Sequence, residues 1–239
     1  ARQRIIVTRE EIVKNTFPVD IAQIKTLIKD YSDLIDELGM RRNTAEAMRK
    51  MALLYAFYLN EHDTAIQILN KAIKVPRTKY SFVGECKIDL ADIYLLKNEP
   101  WESTLLYSQV DKAYKEQQIG HEAKLKLAKL YFYRGDFELA QEYLDILKLA
   151  TSRVIANDAM DVSLLIQDNL ALDTSGKALY DYAQIDLLKF QKKYDLALSK
   201  YQDMLSSFPN HSLSDEIFWS MAAVNLRLGN ISNAVDNLD

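Results

Sequence analysis

Residues 127 to 144 read Leu-Ala-Lys-Leu-Tyr-Phe-Tyr-Arg-Gly-Asp-Phe-Glu-Leu-Ala-Gln-Glu-Tyr-Leu. The skeleton is Leu127, Ala128, Tyr131, Gly135, Phe137, Ala140 and Leu144. That spacing describes two amphipathic helices turned back on each other at a glycine. The pattern returns along the chain. Registered on the small residue of each second helix, Ser103 and Ala140 stand 37 residues apart, and so do Ala197 and Ala234. A first unit holds Met51, Ala52, Tyr55, Ala65 and Leu69, with one extra residue in its turn. A lone helix pair of this size cannot bury its apolar face, so recurrence confines the chain to an array in which each pair stacks on its neighbours.

The recurring residue types have simple physical roles. Small residues at Ala91, Ala128, Ala140, Ala197 and Ala234 let helix backbones approach closely, and Tyr94, Tyr131, Phe137 and Tyr201 fill the space between them. Gly135 and Gly229 sit where a first helix ends and a left-handed backbone is needed; Asn98 holds the equivalent place in the second unit. Pro209 follows a second helix and stops it.

Carried by these residues, the chain resembles the tetratricopeptide repeat family over about 190 residues, from Asn43 to Asp239. The third unit fits closely and the others loosely. The period exceeds the 34 residues usual for the family, most units lack the opening Trp, and Ile155–Leu172 interrupts the array. Residues 118 to 172 also look like part of long bacterial tetratricopeptide proteins. The resemblance implies an all-α fold, a right-handed α-α superhelix of about 11–12 helices.

The expected organisation has four parts. Residues 1–42 hold one amphipathic helix, Asp20 to Leu38, capped by Asp20 with support from Gln23 and closed by Gly39. Its Ile21, Ile24, Ile28, Tyr31, Ile35 and Leu38 suit either packing on the first repeat or a short coiled coil. Residues 43–150 form three helix pairs, 151–176 an irregular extra helix and a loop at Asp173–Gly176, and 177–239 two further pairs. The last helix lacks a stop signal, and Val235 and Leu238 do not resemble a polar cap; the chain therefore reads as a piece of a longer repeat protein.

Bulk properties narrow the function class. Apolar content of 49% and charged content of 27% are those of an ordinary globular chain. A net charge of −4 with both signs mixed disfavours affinity built on neutralising phosphates, despite Arg41, Arg42, Arg49, Lys50, Lys124, Lys126 and Lys129. No apolar run approaches the roughly 20 residues of a membrane span, and nothing within the chain reads as a signal peptide, which leaves cytoplasm and periplasm both open. Cys86 is alone and lies in an apolar-periodic stretch, as a small buried hydrophobe does.

Catalytic and cofactor chemistry is not encoded in any motif. His62, His121 and His211 have no second His at metal-ligand spacing, and there is no phosphate-binding glycine loop or nucleophile elbow. The expectation is a non-enzymatic chain with no cofactor, metal or nucleic acid.

The resemblance places first helices on the concave face. Carried over, the candidate partner-binding residues are Glu85, Ile88, Asp89, Asp92 and Leu96, then Glu122, Leu125, Lys126, Lys129 and Tyr133. Later units supply Tyr182, Asp186, Lys189 and Phe190, then Trp219, Ala223 and Arg227. Aromatics with both charge signs suit a peptide or a partner helix. The clamp that grips chaperone C-termini in this family is absent, since its positions hold Arg49 with Leu53, Ile88 with Asp92, and Leu125 with Lys129. Two further readings stay beside the scaffold: a structural spacer or oligomerisation segment, self-associating through an exposed terminal repeat, and an RNA-binding helical repeat.

Overall fold

The computed structural model describes residues 2–15, 19–150, 153–172, 175–209 and 211–238. Thirteen α-helices and no strand occur among them. That is one more helix than the upper expectation, and the addition is α1 (Arg2–Asn15). The chain divides into two compact units, residues 1–106 and 107–239.

The first unit holds α1, α2 (Ile21–Leu38), α3 (Arg42–Tyr58), α4 (His62–Ile73), α5 (Tyr80–Leu96) and the start of α6 (Pro100–Ala113). The Asp20 carboxylate accepts the Ala22 amide at 2.8 Å and starts α2, and Gly39, at φ 73°, ends it. The buried stripe of α2 is Ile24, Leu27, Ile28, Tyr31 and Leu34; Ile21 and Leu38 are exposed. This stripe packs with Ile6 and Val13 of α1 and with Ala47 and Leu54 of α3. A second cluster joins Ala52, Ala65, Leu69, Cys86 and Leu90, so α3, α4 and α5 share one core. The fully buried Ser103 hydroxyl donates to the Ala91 carbonyl at 2.8 Å, an alternative to alanine where two backbones must meet.

The second unit holds the end of α6, then α7 (Gln118–Arg134), α8 (Phe137–Ala150), α9 (Arg153–Leu172), α10 (Lys177–Phe190), α11 (Tyr194–Ser207), α12 (Ser214–Leu228) and α13 (Ile231–Asp236). Pairs α7/α8, α10/α11 and α12/α13 repeat one arrangement, which α3/α4 and α5/α6 also follow in sequence; the first helix of each pair is its A helix and the second its B helix. Ala128, Ala140, Ala183, Ala197 and Ala234 are all buried.

The turn between A and B helix is the same device five times. Asn60, Asn98, Gly135, Lys192 and Gly229 each have positive φ. Beyond each, an amide closes back on the A helix: Glu61 on Tyr55, Glu99 on Tyr94, Asp136 on Tyr131, Lys193 on Leu188 and Asn230 on Asn225, at 2.8 to 3.0 Å. These are Schellman closures, which satisfy carbonyls that a helix end leaves open. The first spans one residue more than the others, which is the extra turn residue of that unit. At Gly135 a side chain is excluded twice over, because φ is 81° and a Cβ would lie 2.6 Å from the Tyr180 ring.

These turns also locate the interruption. From Gly135 to Lys192 is 57 residues, 20 beyond the period of 37, and α9 is 20 residues long. Rather than shifting the array, α9 packs against α8 and α7, and α10 packs directly on α7. The side-chain amide of Gln184 donates to the Tyr133 carbonyl across that α7–α10 contact. The expected loop begins at Asp173 and Thr174, which lie outside the described residues, as do Thr151 and Ser152 before α9 and Asp239 after α13.

Candidate functional site

The candidate A-helix residues fall into three groups by burial. Ile88, Asp89, Leu96, Leu125, Tyr133 and Tyr182 are buried. Glu85, Asp92, Lys126, Lys129, Asp186, Lys189, Phe190 and Ala223 are half-buried, and Glu122, Trp219 and Arg227 are exposed. The buried six contribute packing between neighbouring helices rather than open surface.

In the first unit, two of the acidic candidates, Glu85 and Asp89, converge on a residue outside the candidate set. The Arg49 guanidinium of α3 donates to Glu85 Oε2 at 2.6 Å, to Asp89 Oδ1 at 3.3 Å and, from Nε, to Asp89 Oδ2. Glu46 adds a contact at 3.7 Å. Burial works to lower the Arg49 pKa, but the hydrogen bond and charge of Asp89, with Glu46 and Glu85, outweigh it and raise the pKa above its ordinary value. Three carboxylates on one cation form an ion-pair network that ties the A helix of one repeat to the A helix of the next. Cys86 lies within the same core, where burial first and Asp89 second push its thiol up to about 12, so it stays protonated and unreactive.

In the second unit, the candidates meet across α10, α11 and α12. The Lys189 ammonium donates to Asp186 at 2.8 Å and to the Ser220 hydroxyl at 3.0 Å. Tyr182 and Ser220 share a hydroxyl–hydroxyl hydrogen bond of 3.3 Å. The Tyr182 ring stands 5.9 Å from that of Tyr201, over which Lys189 lies at 5.9 Å. Burial pushes the Tyr182 phenol up to about 12, the Asp186 charge adds to it, and the Ser220 hydrogen bond works against it. Tyr133 of α7 packs its ring on Phe190 at 6.5 Å. Along α12, Trp219, Ala223 and Arg227 follow one stripe at four-residue spacing, and Trp219 is 69% exposed.

Tetratricopeptide repeat models match residues 46–75 and 122–149. The first stretch covers most of α3 and α4, and the second most of α7 and α8. Over these two stretches the chain carries tetratricopeptide repeats. Helices α3 and α7 therefore correspond to the family's first helices. No curated protein matches the chain.

Sequence reasoning did not include Arg49 among the tetratricopeptide face residues. The available signal was its register: eleven residues before Asn60, it holds the place that Tyr182 and Trp219 hold ten residues before Lys192 and Gly229. Ser220 was also missed, because a serine one residue after an exposed Trp carries no signal of its own. No helix among the described residues is long and apolar enough to cross a membrane.

Proposed function

We propose that this chain is a non-enzymatic protein-interaction scaffold, binding a peptide or partner helix along the concave face of its A helices. Tetratricopeptide repeats generally mediate protein–protein interaction. The observation that carries the reading here is the α12 stripe, where a large aromatic ring is 69% exposed on an A helix. Keeping an indole in water forgoes the burial such a ring ordinarily gains, and exposed aromatics with a neighbouring cation are the usual anchors of interfaces. Trp219 and Arg227 are eight residues apart, about 12 Å along the helix axis. That span fits about four residues of an extended peptide or two turns of a helix. Beside the stripe, the Lys189–Asp186 pair is held by Ser220, so its charges are positioned before any partner arrives.

The test is selection of binders from a displayed random-peptide library, followed by titration of the selected peptides. Trp219→Ala combined with Arg227→Glu is expected to weaken them at least about tenfold, while Trp101→Ala is not. Selected peptides that bind the double variant as tightly as the parent would remove the A-helix face as the binding surface.

A further inference from the structure

The inserted helix α9 gives this chain a surface that a regular repeat lacks. Its seam with α8 is fixed by the fully buried Ser163 hydroxyl, which accepts from the Gln141 amide at 2.7 Å and from Lys148 at 2.9 Å. Both helices also expose apolar side chains. Ile146 and Leu149 stand one turn apart on α8, at 53% and 91% exposure. Met160 and Leu164 stand one turn apart on α9, with Val154 exposed near its start.

Charge on these two helices is one-sided. Together α8 and α9 contain six carboxylates and two basic residues, Lys148 and Arg153. Since the chain carries 34 acidic and 30 basic residues, these two helices hold the whole of its formal charge of −4. Lys148 is engaged inward, by Asp145 at 2.6 Å and by Ser163. Glu138, Glu142, Asp158, Asp161 and Asp168 are exposed on the same two helices.

We propose that this outward face docks a cationic amphipathic helix of a partner protein, its apolar stripe against Leu149, Met160 and Leu164 and its Lys or Arg residues beside the carboxylates. Apolar residues one turn apart on two adjacent helices form the kind of groove that accepts an amphipathic helix. The surrounding carboxylates select for positive flanks and speed encounter. The same carboxylates disfavour an anionic membrane or a nucleic acid as the occupant. The surface is separate from the A-helix face, so it stands or falls independently of the proposed scaffold function.

The probe is a synthetic amphipathic helix of leucine and lysine, fluorescently labelled and titrated near physiological salt beside its leucine–glutamate counterpart. The lysine peptide is expected to bind and the glutamate peptide not. Glu142→Lys with Asp161→Lys and Asp168→Lys should weaken binding at least about tenfold. Met160→Ser with Leu164→Ser should weaken it as well, with helicity unchanged in circular dichroism because both residues are exposed. A control reversing the same number of charges on other helices, at the half-buried Asp181 and the exposed Asp195 and Asp236, should leave affinity within about twofold. Binding that survives the first triple reversal, or that falls equally with the control, overturns the proposal. So does concentration-dependent self-association abolished by the Met160/Leu164 pair, which would make a second copy the occupant.

Discussion

Arg49 and Trp219 occupy the same place in their repeats, on an A helix and ahead of the left-handed turn residue, and they meet opposite fates. Arg49 is enclosed by Glu46, Glu85 and Asp89 and spends its donors on the next A helix. Trp219 stands 69% exposed. Between these extremes, Tyr182 holds the same place in its own repeat with its ring buried and its hydroxyl shared with Ser220. One position of the repeat therefore holds an inter-repeat tie, a packing element or an exposed ring, according to what the neighbouring A helix places opposite. Register locates a face; neighbours decide whether it is available.

The largest effect expected from this contrast is at the tie. Arg49→Leu removes the guanidinium that pairs with the Asp89 side chain, which is 9% exposed. Breaking a buried pair from one side costs about 3 kcal/mol; Glu85, at 35% exposure, adds little because water screens it. Urea unfolding should show the loss, and the double variant Arg49→Leu with Asp89→Leu should recover most of it. A double variant as unstable as the single one would mean that the guanidinium acts through packing rather than charge.

The next effect belongs to Tyr182 and appears on alkaline titration. Its phenol is ordinary at 10.0 in the unfolded chain and is raised to about 12 in the fold. Below pH 10 both states hold the proton and the contribution to stability is full. As pH rises from 10 through 12, the unfolded state releases its proton while the folded state keeps it, so stability falls, by about 3 kcal/mol. Cys86 titrates in the same direction, so the readout is the difference between the parent and Tyr182→Phe. The variant should lose less stability across this window, and parallel curves would place the ring in a wetter setting than the fold gives it.

How far the sequence reached follows the same division between register and neighbour. The turns at Asn98, Gly135 and Gly229 were legible because glycine and asparagine tolerate a left-handed backbone. Lys192 has no such preference, and the array imposes the conformation on it. The break at Ile155–Leu172 was legible as lost periodicity, but its being a whole helix set aside while α10 returns to α7 was not, since that depends on a contact across the interruption. Helix α1 was missed because Ile5, Ile6 and Val7 run consecutively and disguise a helical period. Tyr133 and Tyr182 fell on the expected face, yet each ring is covered by an aromatic from another helix, Phe190 and Tyr201 respectively. Arg49 finds Glu85 and Asp89 at 36 and 40 residues' remove, and no local pattern announces such a pairing.

The smallest stability effect should come from the open end of the comparison, and that is what makes it informative. Trp219→Ser removes a side chain already in water, so unfolding should shift by no more than about 0.5 kcal/mol. The chain has two tryptophans, Trp101 and Trp219, so a Trp101→Phe background leaves Trp219 as the only indole. Its emission in that background should sit near the wavelength of indole in water and be strongly quenched by acrylamide. A blue-shifted, protected indole, or a loss on Trp219→Ser comparable with that of Arg49→Leu, would make Trp219 another structural tie. The repeat position would then serve packing in every unit, and the α12 stripe would lose its standing as the anchor. An exposed, quenchable Trp219 whose removal leaves stability intact keeps the two ends of the comparison apart, one residue spent on the fold and the other free for a partner.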